Sequence, residues 1–128
     1  MTDKRVLLVG IDPDKMDFSA PGTPPGVTAQ LVHTAIAMGN ARMDQQAIAH
    51  DMLLIAPNEP NDDALIHQLK QSNYEVVVIG GGLRKPDATV ALLERTLNAI
   101  HEHAPSAKIA FNTNPTDSAD AALRWLRP

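Results

Sequence analysis

Four short apolar runs restrict the possible folds of this chain more than any other feature: Val6-Leu7-Leu8-Val9, Met52-Leu53-Leu54-Ile55, Val76-Val77-Val78-Ile79 and Ile109-Ala110-Phe111. None alternates apolar with polar residues, as a strand with one wet face does. Continuous apolar runs suit strands that are covered on both faces. Between them the spacing turns helical, with Leu65 and Leu69 on one face of a segment and Val90, Leu93, Leu97 and Ile100 on one face of another. The βαβαβαβα pattern predicts a parallel sheet between two helical layers, with strands near residues 5–11, 51–56, 75–80 and 108–112. Right-handed crossovers leave 2-1-3-4 as the simplest strand order. The expected architecture is therefore a three-layer, flavodoxin-like α/β fold, a single domain over residues 1–128.

Local punctuation fills in the connections. Gly39-Asn40 reads as a helix stop, residues 41–50 as a second short helix, and Asn61, Asp87 and Thr116 as N-caps. The first connection is irregular, because Pro13, Pro21, Pro24 and Pro25 interrupt it between Asp12 and Gly26. A loop of that length is usually functional or mobile.

With order 2-1-3-4 the helices switch sides between strands 1 and 3, and a crevice opens outside the carboxyl ends of those strands. Loop 10–26 and loop 80–86 meet there. In the second of them Gly80, Gly81 and Gly82 precede Arg84 and Lys85, so backbone N–H groups and two cations are available to an anion. The segment is neither a P-loop, since Pro86 follows Lys85, nor a G-x-G-x-x-G dinucleotide turn, since Lys85 takes the third glycine position. The competing reading is that the glycines serve only close packing. Loop 10–26 offers Asp12, Asp14 and Asp17, with Asp12 at the strand end as the candidate metal ligand or general base. Solvated acids in an Asp-Pro turn are the alternative. Ser19 lacks the surroundings of a nucleophile. Asn112 and Thr113 end strand 4, where an amide and a hydroxyl can orient a polar ligand. His33, beyond the expected crevice mouth, and the other histidines are expected to be core or surface residues; no metal or cofactor is specified by motif.

Composition excludes several classes. The chain has no cysteine, which removes disulfides, thiolate catalysis and Cys-ligated zinc or iron–sulfur centres. A net charge of -4 argues against a general nucleic-acid binder. The apolar run before Gly10 is too short for a signal sequence or membrane span, and a cytoplasmic location is expected.

Strand pattern, the acids after strand 1 and Thr113 after strand 4 resemble a phosphoacceptor receiver domain of two-component signalling. Gly80-Gly81-Gly82 stands where a receiver carries its phosphorylated Asp, and a fifth strand followed by Lys is missing. Asp12-Pro13-Asp14 is similar to the start of haloacid-dehalogenase-type phosphatases, without that family's later residues. The expectation is a small-molecule-binding domain holding an anionic, phosphorylated or carboxylated ligand after strands 1 and 3, with hydrolase or transferase chemistry as its use. The alternative is a noncatalytic, receiver-like interaction or homo-oligomerisation module. A homodimer fits the first helix, where Val27, Leu31, Ala35 and Met38 form one stripe and Val32 and Ile36 widen the apolar arc.

Overall fold

The computed structural model describes residues 5–19 and 23–126. Strands β1 (Arg5–Ile11), β2 (Ala49–Ile55), β3 (Tyr74–Ile79) and β4 (Lys108–Phe111) form one sheet. All pairings are parallel and the order is β2-β1-β3-β4. Helices α1 (Ala29–Gln45), α2 (Asp63–Leu69), α3 (Gly81–Arg84), α4 (Val90–His103) and α5 (Ser118–Leu123) cover both faces, the three-layer arrangement expected of a flavodoxin-like fold.

The central strands show why their sequences are apolar throughout. Leu7, Val9, Ile11, Val77 and Ile79 pack with Leu65, Leu69, Leu83, Leu92 and Ile100 from α2, α3 and α4. Their neighbours Val6, Leu8, Val76 and Val78 pack with Met43 of α1 and Ala119, Ala121 and Ala122 of α5. Successive side chains point to opposite faces, so a strand between two helical layers has no position to spare for a polar residue.

Several local expectations need correction. Helix α1 does not stop at Gly39-Asn40 but runs through both residues to Gln45. Gly39 is buried, and a Cβ placed there would overlap the carbonyl oxygen of Pro115, so this glycine serves a tertiary approach rather than a helix end. No second helix occupies residues 41–50. The last turns of α1 lead to Ala47, at φ 57°, and β2 begins at Ala49. The reversal is closed by Ala47 N–H donating to the Asp44 carbonyl and Ile48 N–H to the Met43 carbonyl, at 3.0 and 2.9 Å. This is a left-handed helix ending made with alanine in place of glycine.

The caps move by a residue or two. The residues that enter α2, α4 and α5 are Asp62, Thr89 and Asp117, while Asn61 accepts from the Asp63 N–H. The Asp87–Thr89 and Pro115–Asp117 segments are single 3₁₀ turns leading into the helices.

Helix α1 leaves part of its apolar arc uncovered. Gly39 and Met43 are its buried residues, with Val32 and Ile36 half-buried on the same side. Leu31 and Met38, from the stripe named with Val27 and Ala35, are 56% and 49% exposed. No helix among the described residues is long and apolar enough to cross a membrane.

Candidate functional site

The carboxyl ends of β1, β3 and β4 carry the candidate residues, each held by local chemistry. Asp12 follows β1, its N–H donating to the Ile55 carbonyl at 2.8 Å. Its side chain caps the 3₁₀ turn Pro13–Lys15 by accepting from the Asp14 N–H at 2.9 Å, and Pro13 is buried beneath. Proline at the first position of the turn fixes φ there and removes a donor that would have no partner.

Asp14 points outward and its Oδ1 lies 2.9 Å from Nε2 of His33. His33 sits near the start of α1, which Thr28 caps by accepting from the Leu31 N–H at 3.2 Å. His33 is exposed, a surface residue as expected, and one ligand atom from each of Asp12, Asp14 and His33 falls within 4.8 Å of the others. Asp17 stays outside this group. It accepts from the Ser19 N–H and hydroxyl at 2.9 and 2.6 Å, and those bonds hold its carboxyl below the usual value. The same bonds engage Ser19.

After β3 the chain stays tight. Gly80 N–H donates to the Val9 carbonyl at 2.8 Å, extending the pairing with β1. A Cβ on Gly80 would lie 3.3 Å from the Val9 oxygen, and one on Gly82 3.1 Å from Cβ and Cγ1 of Ile11. Among the described residues, positive φ occurs at Gly26 and Ala47, not in this triplet. Gly80 and Gly82 let α3 lie directly against the end of β1, which is the close-packing role weighed against an anion cradle, whereas Gly81 faces the side chain of Lys85.

Arg84 turns inward from α3. Its Nε donates to the Ile79 carbonyl at 3.1 Å, and Nη2 donates to the backbone and side-chain oxygens of Asn112. The guanidinium lies 5.0 Å from the centroid of the Phe111 ring. Burial pulls its pKa down from the ordinary value and the charge of Asp117 partly restores it. Lys85 Nζ donates to the Thr113 carbonyl at 3.2 Å from an exposed position.

After β4, Asn112 is buried and its amide donates to the Ser118 hydroxyl at 3.1 Å. Thr113 donates through its N–H and its hydroxyl to the carboxylate of Asp117, and Asn114 donates its N–H to the same carboxylate. Burial pushes the Asp117 carboxyl up, but these bonds and the charge of Arg124 outweigh it and leave the pKa lowered. Asn114 and Asp117 form a reciprocal capping box around Pro115 and Thr116.

The structure therefore joins Arg84, Lys85, Asn112 and Thr113 at the ends of β3 and β4, and Asp12, Asp14 and His33 at the end of β1. Asp117 is the residue that sequence reasoning missed in the first cluster. Its signal was present in Asn114-Pro115-Thr116-Asp117, an N-cap followed three residues later by an acid. A cleft of about 440 Å³ lined by Glu75, Pro105, Ser106 and Lys108 lies at the opposite, amino end of β3 and β4.

Comparison with protein-family models and with curated proteins found no match to this chain.

Proposed function

We propose that this chain is a cytoplasmic domain that binds a small anionic molecule, phosphorylated or carboxylated, at the carboxyl ends of β1 and β3. What supports the reading most is the pairing of two cations with a polar strand end at the carboxyl ends of β3 and β4, beside the switch point between β1 and β3 where parallel α/β sheets bind ligands. Arg84 and Lys85 are both drawn toward Asn112 and Thr113. Among the described residues Arg84 Nη1 and the remaining Lys85 donors make no hydrogen bond, and Asn112 and Thr113, held by Arg84, Ser118 and Asp117, fix the strand end beside them. Gly80 and Gly82 let this charged turn lie against β1.

Lys85 is the discriminating residue, because it is exposed while Arg84 also holds the fold together. Phosphate, sulfate, short carboxylates and nucleotides are titrated against the protein while thermal midpoint is followed. A ligand at 100 times its Kd adds about 2.7 kcal/mol of stability. At least one of these anions is expected to raise the wild-type midpoint by several degrees, and Lys85→Gln to weaken its binding about tenfold. No shift with any of them, or equal shifts in wild type and Lys85→Gln, would remove the reading.

A second reading, a noncatalytic homodimerising module, has its own support in α1. Leu31 and Met38 are exposed on one side of that helix, and from Ala29 to Ala41 it carries no Asp, Glu, Lys or Arg. A solvated helix face is normally charged. Two copies pairing through this face about a two-fold axis would meet no Asp, Glu, Lys or Arg from residues 29–41 of either helix. The expected result is a dimer in light scattering at tens of micromolar that Leu31→Glu together with Met38→Glu converts to a folded monomer. Ile36 is unsuited to this test, since it is half-buried on the core side. A wild-type monomer at that concentration overturns the dimer.

A further inference from the structure

We infer that Asp12, Asp14 and His33 form a site for one divalent transition cation of the zinc class. The three donors come from two elements 19 residues apart across an irregular loop, and their ligand atoms already lie within 4.8 Å of one another. Metal–oxygen and metal–nitrogen bonds of about 2.0–2.2 Å put neighbouring ligand atoms roughly 3–4 Å apart, so small side-chain rotations close the set.

The donor types decide the class of cation. Two carboxylates and an imidazole suit Zn²⁺, Co²⁺ or Mn²⁺, whereas Mg²⁺ and Ca²⁺ favour all-oxygen surroundings. The loop acids considered from sequence, Asp12, Asp14 and Asp17, would have made an oxygen site. In the structure Asp17 belongs to Ser19 and the nitrogen ligand His33 takes its place.

The positions of the donors add to this. Asp12 is half-buried and one of its oxygens is held by the Asp14 N–H, which leaves the other oxygen to a metal without loss of the turn. Asp14 and His33 are exposed, so a cation reaches them without the chain opening. The hydrogen bond between His33 Nε2 and Asp14 Oδ1 is what a metal would replace. Whatever the protonation of His33, two carboxylates and one imidazole carry net negative charge, and a bound cation relieves it. Three protein ligands leave coordination positions open, the arrangement of a site that also holds water or an anionic ligand.

The inference stands independently of the anion reading, and its test keeps the two apart. Zn²⁺ is titrated calorimetrically into the full chain in an anion-poor, chelator-free buffer, and Co²⁺ is followed by its visible absorption. The expected result is one ion per chain, not displaced by millimolar Mg²⁺, with the imidazole NMR signal of His33 perturbed. His33→Ala and Asp14→Asn, both at exposed positions, are each expected to weaken binding about tenfold or more. His67→Ala, at another exposed histidine, serves as control and is expected to bind as wild type. No binding by wild type, or binding that His33→Ala leaves intact, would overturn the site. Anion titrations repeated with a chelator present test the Lys85 cluster alone, so a failure of one does not imply failure of the other.

Discussion

Gly39→Ala is expected to destabilise the protein by about 2 kcal/mol, although helix propensity alone makes the same substitution favourable by about 1 kcal/mol. The reason is tertiary. Gly39 is in the interior of α1, and the position of its missing side chain is occupied by the carbonyl of Pro115. A Cβ would overlap that oxygen and come within 3.2 Å of the carbonyl carbon and 3.6 Å of the Thr116 Cα. These are backbone atoms, so no side-chain rotation relieves the contact; either the helix or the turn has to move. The turn is not free to do so. It is fixed by the Asn114–Asp117 capping box and by Arg42, whose Nη1 donates to the Thr116 carbonyl at 2.9 Å. Gly39→Val adds volume and β-branching and is expected to cost about 3 kcal/mol or more. Ala41→Gly, at an exposed position two residues further on, supplies the comparison and should lose about 1 kcal/mol from propensity alone. Urea unfolding of the three variants measures this directly. If Gly39→Ala proves as stable as wild type or more so, α1 does not pack on the 115 turn as described.

The same residue shows where sequence reading stops. A glycine followed by asparagine is the signature of a helix C-terminus, and also of a helix that another backbone approaches closely; only tertiary structure separates the two. The strands were legible because burial on both faces leaves a mark that does not depend on partners. Even so, β2 starts earlier than its apolar run. Ala49, His50 and Asp51 pair with Arg5, Val6 and Leu7 on one side only, at the sheet edge, and an edge position tolerates polar residues that hide the strand's start. The Asp51 carboxylate is held there by Arg5 at 3.0 Å and by the Tyr74 hydroxyl at 2.6 Å.

The candidate site was legible as a place more than as a set of residues. Parallel order alone put Asp12, Gly80 to Arg84 and Asn112 to Thr113 at one end of the sheet. The meeting of Asp14 with His33 was not visible, because the loop between them follows no period from which a distance can be inferred. Nor was the inward turn of Arg84, since a guanidinium in a sequence gives no sign of whether its partner is a ligand or the protein's own carbonyls.

That inward turn makes Arg84 the position with the second large expected effect. Arg84→Ala removes three hydrogen bonds, to the Ile79 carbonyl and to both oxygens of Asn112, and leaves the buried Asn112 without its charged donor. An unsatisfied buried acceptor costs about 1–3 kcal/mol, and loss of the contact with the Phe111 ring adds about 0.5–1 kcal/mol. Because the guanidinium is only partly buried, water recovers some of this, and a net loss of about 2–4 kcal/mol is expected. For a domain of this length that lowers the thermal midpoint by roughly 3–5 °C per kcal/mol. Arg84→Lys should fall between wild type and Arg84→Ala, since one ammonium cannot match three acceptors that a planar fork reaches together. Lys85→Gln, at the neighbouring exposed residue, should unfold within about a degree of wild type. The order wild type, Lys85→Gln, Arg84→Lys, Arg84→Ala is what calorimetry would test, and an Arg84→Ala protein as stable as wild type would mean that the guanidinium does not hold the end of β4. The ordering matters for function as well. Weakened anion binding in Arg84→Ala would follow from displacement of Asn112 and Thr113 as readily as from a lost contact, whereas the same loss in a Lys85→Gln protein of unchanged stability would belong to the ligand.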